Sequence, residues 1–210
     1  MKAPLVAFLR LAFSLLTLGA MGWQLAIHLG GGYSIINFFS YFTNLSNFFA
    51  ALVLLFGAIQ FFARKETAGP GDLLRAASVV NMSVVGIVFA VLLRNVDLGA
   101  LLPWVNFVLH TLMPCVVVLD WLLQPPTAKL GRRQLLQVLV FPAVYLAYTL
   151  LRGSSTGWYP YPFLNPAHAG GYGGVAAYSI GITLTFVFAA LLLFAIGNKL
   201  SKAPAAASHP

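Results

Sequence analysis

From Asn37 to Phe49 the chain reads NFFSYFTNLSNFF, and from Val105 to Trp121 it reads VNFVLHTLMPCVVVLDW. The first stretch sets hydroxyls and amides between aromatic rings. The second carries His110 four positions after Asn106 and four before Pro114. A neutral alcohol is a weak nucleophile, and an imidazole that takes its proton during attack makes it a strong one. Whether Thr43 and His110 can meet is therefore the first question. Asn44, Asn47 and Asn106 are candidates to orient the imidazole or to stabilise an oxyanion, and sequence does not choose among them. Asn37 and Ser40 on the same stretch, and Asn81 elsewhere, are further candidates to contact substrate. Asn81 and Ser83, like Tyr145 and Tyr148, also suit ordinary hydrogen bonding between helices.

The elements that must position these groups are membrane helices. Of 210 residues, 60% are hydrophobic and 8% charged, and the mean hydropathy of +0.88 exceeds what one soluble core of this size can bury. Six apolar stretches approach the roughly 20 residues of a spanning helix, at 5–29, 35–62, 73–93, 103–123, 134–151 and 174–196. The expected fold is an all-α membrane protein, a single six-transmembrane-helix bundle over residues 1–199, followed by a disordered tail at 200–210. The apolar run continues past TLGAMG, which favours a retained first helix over a cleaved leader. Cys115 is the sole cysteine, so no internal disulfide forms.

Lysine and arginine set the expected orientation. Lys2, Arg10, Arg64, Lys65, Arg75, Lys129, Arg132, Arg133, Lys199 and Lys202 fall on one side, and only Arg94 and Arg152 on the other. Both termini are then cytoplasmic. The net charge of +8 reads as a retention signal and a contact with anionic membrane lipids, with no basic soluble patch for nucleic acid.

On a continuous helix, Asn37, Ser40, Thr43, Asn44 and Asn47 share an arc of about 120°. Unpartnered polar groups in lipid are costly, so this face must point to other helices or to a cavity. Thr43 and His110 lie roughly 12 and 10 Å below the outer ends of their helices at 1.5 Å per residue, so they can share one level. Pro114 cannot donate to the carbonyl of His110, which implies a kink and a free acceptor beside the imidazole. An ionisable side chain within the bilayer is itself a pointer to function.

The remaining candidates lie near the ends of the helices. Arg94 and Arg152 either snorkel to the interface or contact a substrate carboxylate. His28 reads as interfacial, and Asp120 as meeting water or a basic loop. The segment GSSTGWYPYPFLNPAHAGG is too apolar for a solvated linker. It either folds over the outer mouth of the bundle or anchors aromatics at headgroup depth.

FSYFTNLSN, NFVLHTLMP and WYPYPFLNP, each at a matching topological place, resemble the androgen-induced-protein (FAR-17a type) family of six-helix membrane proteins. The last motif is closest to the bacterial branch. The resemblance covers nearly the whole chain. It implies an intramembrane threonine hydrolase acting on fatty acid esters of hydroxy fatty acids or similar lipid esters, with Thr43 as nucleophile and His110 as its partner. It also implies residence in a bacterial inner (plasma) membrane. No cofactor is expected. Clustered His and carboxylate ligands for a metal are lacking, as are a mid-membrane lysine for retinal and the histidines for paired haems. The competing reading is a non-enzymatic membrane binder or transporter of a small amphiphile, whose polar face recognises its ligand.

Overall fold

The computed structural model describes residues 2–63, 70–96 and 101–201. Within them, α1 is Lys2–Gly30, α2 Ile35–Phe39, α3 Phe42–Phe62, α4 Pro70–Val88, α5 Pro103–Phe107, α6 Met113–Leu123, α7 Arg132–Thr156, α8 Pro166–Ala169 and α9 Gly171–Leu200. A π-helical turn, Phe89–Leu93, extends α4, and a second, Val108–Leu112, joins α5 to α6. Six helices are long and apolar enough to cross a membrane, and the described residues contain no strand. The chain is an integral, multi-pass membrane protein.

Three boundaries depart from the sequence reading. The stretch expected as one helix at 35–62 is broken at Ser40–Tyr41. α7 runs to Thr156, and α9 covers Gly171–Leu200, so Leu200 is helical and the connection between them narrows to 157–170. Arg64, Lys65 and the tail from residue 202 lie outside the described residues.

In lipid, helices are held by close approach and hydrogen bonds, because the tails are as apolar as the side chains. Ala7 and Ala20 of α1 and Ala50, Ala51 and Ala58 of α3 are all buried, which lets these backbones come together. Gly86 of α4 faces Pro114, and a Cβ there would lie 3.2 Å from the proline ring. Gly197 of α9 faces Trp121, whose indole N–H donates to the Leu193 carbonyl at 3.1 Å.

The end of the bundle remote from the 157–170 loop is tied by charge. Asp120 does not meet a basic loop. It accepts from Arg10 of α1 at 2.6 Å and from Arg75 of α4 at 3.1 Å. Asp72 accepts from the Thr127 backbone at 2.7 Å and its hydroxyl at 2.6 Å. Three helices thus meet at one carboxylate that is 10% exposed, where losing the acid strands two guanidinium groups. Asp120→Ala is expected to destabilise the folded protein by about 3 kcal/mol, read as a lowered thermal midpoint in detergent. An unchanged midpoint would mean that the network is solvent-compensated.

Candidate active site

A helix begins with backbone N–H groups that have no intrahelical acceptor, and in a bilayer each needs a partner. α3 begins at Phe42 within the membrane protein, and its N-cap residue Tyr41 makes no side-chain cap bond. Two phenols from distant parts of the chain take the role. Phe42 N–H donates to the Tyr145 hydroxyl at 3.1 Å, and that hydroxyl donates to the Ser40 carbonyl at 2.8 Å. Thr43 N–H donates to the Tyr161 hydroxyl at 3.3 Å, which also lies 3.4 Å from Thr43 Oγ1. Thr43 is 7% exposed and stands in the first turn of α3, at the positive end of the helix dipole.

His110 sits in the middle of the π turn Val108–Leu112. Its ring stacks on Phe89, from the other π turn, with centroids 4.3 Å apart and planes 23° from parallel. Nδ1 lies 3.2 Å from the Asn106 carbonyl. A carbonyl only accepts, so in the neutral ring Nδ1 carries the proton and Nε2 keeps the lone pair. The Asn106 contribution is thus made by its backbone.

The π winding moves the acceptor vacated by proline. Met113 N–H donates to the Val108 carbonyl, five residues back, and by the same spacing Pro114 falls opposite Leu109. Asn47 supplies what proline cannot, and its amide N–H₂ donates to the Leu109 carbonyl at 3.0 Å and to the Thr43 carbonyl at 2.9 Å. The bridged carbonyl is that of Leu109, where the sequence reading expected His110. One buried amide therefore joins the residue before His110 to Thr43 itself.

Thr43 and His110 face one polar vestibule of about 470 Å³, with Asn37, Asn44, His28 and His168 also in its wall. Thr43 and Tyr161 also line a second cavity of about 410 Å³ between α4, α7 and α9. The 157–170 loop closes around this junction. Tyr161 is buried and stacks on Phe163 at 5.0 Å, and Tyr41 packs edge-on against both Tyr161 and Trp158. Burial raises the Tyr161 phenol above its ordinary pKa and keeps it a donor. Gly157 turns the chain out of α7 with φ 71°, and Tyr159 lies where a Cβ on Gly153 would come within 2.0 Å of its ring.

The model of the FAR-17a/AIG1-like protein family matches residues 86–201, more than half of the chain. The protein belongs to that family. No curated protein and no solved structure matches it. The matched region of this FAR-17a/AIG1-like protein contains His110 and Tyr161, while Thr43 precedes it.

The other sequence candidates in this family member are scattered. Asn44 lines the vestibule and donates to the Phe38 carbonyl at 2.8 Å, tying α2 to α3. Ser40 turns to α7, its hydroxyl 2.9 Å from that of Tyr148. Because α2 and α3 are separate, the single polar arc expected at 37–47 does not exist. Asn81 is buried in α4, away from the vestibule lining. Arg152 donates to Asn37 Oδ1 at 2.6 Å and lies 4.6 Å from the Trp158 ring centre. Arg94 is exposed and outside the vestibule lining. His28 donates to the Ser34 carbonyl at 2.9 Å. Tyr161 and Phe89 were not singled out by sequence, although the aromatic density of WYPYPFLNP marks the region.

Asn47→Leu removes both amide bonds and strands the Leu109 carbonyl. The expected cost is about 1–2 kcal/mol, measured as a lower thermal midpoint in detergent. A neutral result would show that the bridge carries no stability.

Proposed function

We propose that this protein is an intramembrane hydrolase of lipid esters, such as fatty acid esters of hydroxy fatty acids, with Thr43 as nucleophile and His110 as general base and then general acid. The observation that carries the reading is the His110 ring, whose Nδ1–H is held by the Asn106 carbonyl, leaving Nε2 basic in a vestibule that Thr43 shares. Family membership supports it.

In this mechanism Thr43 Oγ1 bonds to the ester carbonyl carbon while its proton passes to His110 Nε2, directly or through one water. The carbonyl oxygen becomes an oxyanion, stabilised by the positive end of the α3 dipole and by the Tyr161 phenol. Collapse breaks the bond to the alcohol oxygen, which takes the proton from His110. Water then adds to the acyl-threonine with His110 again removing a proton, and the carboxylic acid leaves as Thr43 regains its own. Asn47 acts on the geometry rather than on the substrate, since both of its donor bonds are to backbone carbonyls. Arg152 is a candidate carboxylate contact at the vestibule rim, because its neutral partner Asn37 leaves its charge uncompensated. The skew of basic residues supports cytoplasmic termini. The WYPYPFLNP motif supports a place in a bacterial plasma membrane.

Thr43→Ala and His110→Ala are each expected to lower ester hydrolysis by the purified protein by about 10³-fold or more, with expression and thermal midpoint retained. A fluorophosphonate is expected to leave its phosphonyl adduct on the Thr43 peptide by mass spectrometry, and on neither variant. Normal turnover by either variant would overturn the mechanism. Co-purifying lipid that both variants retain, without any turnover by the parent protein, would favour the amphiphile-binder reading.

A further inference from the structure

Thr43 and Tyr161 belong to two cavities at once, and the two differ in chemistry. The vestibule presents imidazoles and amides. The other cavity is walled by aliphatic and aromatic side chains, among them Val84 and Val88 of α4, Leu146 and Leu150 of α7, and Ile182 and Phe186 of α9. All but one of its few polar groups have internal partners, the exception being the Ser179 hydroxyl. The Tyr145 hydroxyl is bound to Phe42 N–H and the Ser40 carbonyl, and the Thr183 hydroxyl donates to the Ser179 carbonyl at 2.8 Å. An occupant therefore gains at most one hydrogen bond, from Ser179, by carrying polar atoms along this wall, and loses the hydration of any others that it has.

The cavity also has a side exit. Ala143 and Ala147 of α7 and Thr183 of α9 line it and are exposed, so the cavity is not closed off along the seam between these two helices. Small residues at that place leave a gap between two helices at the depth of the lipid tails. α7 is also the least buried of the six spans.

We infer that the cavity between α4, α7 and α9 is the fatty-acyl site, entered sideways from the bilayer between α7 and α9, so that the ester carbonyl stops at Thr43 and the alcohol portion points into the polar vestibule. The inference rests on the hydrolase reading for the identity of the reacting atom, but the chain's location stands on its own geometry. In this arrangement the acyl chain never leaves the hydrocarbon phase, and only the alcohol and the carbonyl meet polar groups. Selectivity for acyl length lies with α7 and α9, and selectivity for the alcohol lies with α2 and the 157–170 loop.

The test uses the full-length protein in detergent and a series of 4-methylumbelliferyl esters from acetate to palmitate. Ala147→Trp, at the side opening, is expected to lower kcat/KM for palmitate by about tenfold or more while acetate stays within about twofold. Val144→Trp, exposed on the same helix but outside the cavity lining, keeps the parent profile. A uniform loss across all lengths, or an unchanged palmitate value in Ala147→Trp, overturns the assignment. If the parent protein turns over no ester and takes no fluorophosphonate on Thr43, the hydrolase reading fails by itself. The site is then read with a photoreactive diazirine palmitate. Crosslinks to α7 or α9 peptides that Ala147→Trp abolishes support the acyl site, and crosslinks elsewhere, or insensitive to that substitution, overturn it.

Discussion

The structure depends on a demand made by the bilayer on two backbone N–H groups. Where α2 stops and α3 begins, Phe42 and Thr43 present donors that lipid cannot accept, and a membrane protein must answer them internally. The answers are Tyr145, from a helix 103 residues away in sequence, and Tyr161, from a loop 118 residues away. Much of the arrangement at this end of the bundle follows from bringing those phenols to that place. α7 must pack so that Tyr145 reaches the break, and the 157–170 loop must turn inward so that Tyr161 does. Thr43 is consequently exposed to a cavity at the start of a helix, where a hydroxyl meets the helix dipole rather than the middle of an apolar span.

The loop is fastened in a chain of contacts from the rim to the centre. Asn37 holds Arg152, the guanidinium covers Trp158, Trp158 meets Tyr41 edge-on, and Tyr41 does the same to Tyr161. Tyr159 adds a lock against α7 that only glycine at position 153 permits. Aromatic contacts of this kind contribute on the order of 1 kcal/mol each beyond burial, so several in series make the loop part of the wall. A cationic side chain that sequence alone leaves at the interface or on a substrate is held, in the fold, by a neutral amide and a ring.

Apolar run lengths were enough to find the six spans, because any helix that crosses hydrocarbon must be long and greasy. They could not reveal the break at Ser40–Tyr41. Neither residue forbids a helix, and the break is stabilised only by phenols remote in sequence. That Thr43 and His110 could face one cavity was legible from their places along the helices, but the arc that linked Thr43 to Asn37 and Ser40 assumed a continuity that is absent. Pro114 pointed to a displaced acceptor near His110. Its position, one residue earlier, depends on π winding, which leaves no sequence mark beyond the proline. Asp120 was read from the charge of nearby loops, whereas its partners, Arg10 and Arg75, come from the interiors of two other helices.

The π turn at Val108–Leu112 amounts to one residue of surplus chain stored inside a helix. Beyond it, the rotation of α6 is clamped by Asp120 between two arginines and by the Trp121 indole on Leu193. With that end held, deleting one residue beside His110 in the turn would restore α winding and leave α5 and α6 facing as they do, while the residues of the turn itself, His110 among them, would be re-aimed. The compass bearing of the imidazole is thus set by a count of residues rather than by any one side chain. A protein can keep every chemical group of this site and still lose it through a single-codon deletion.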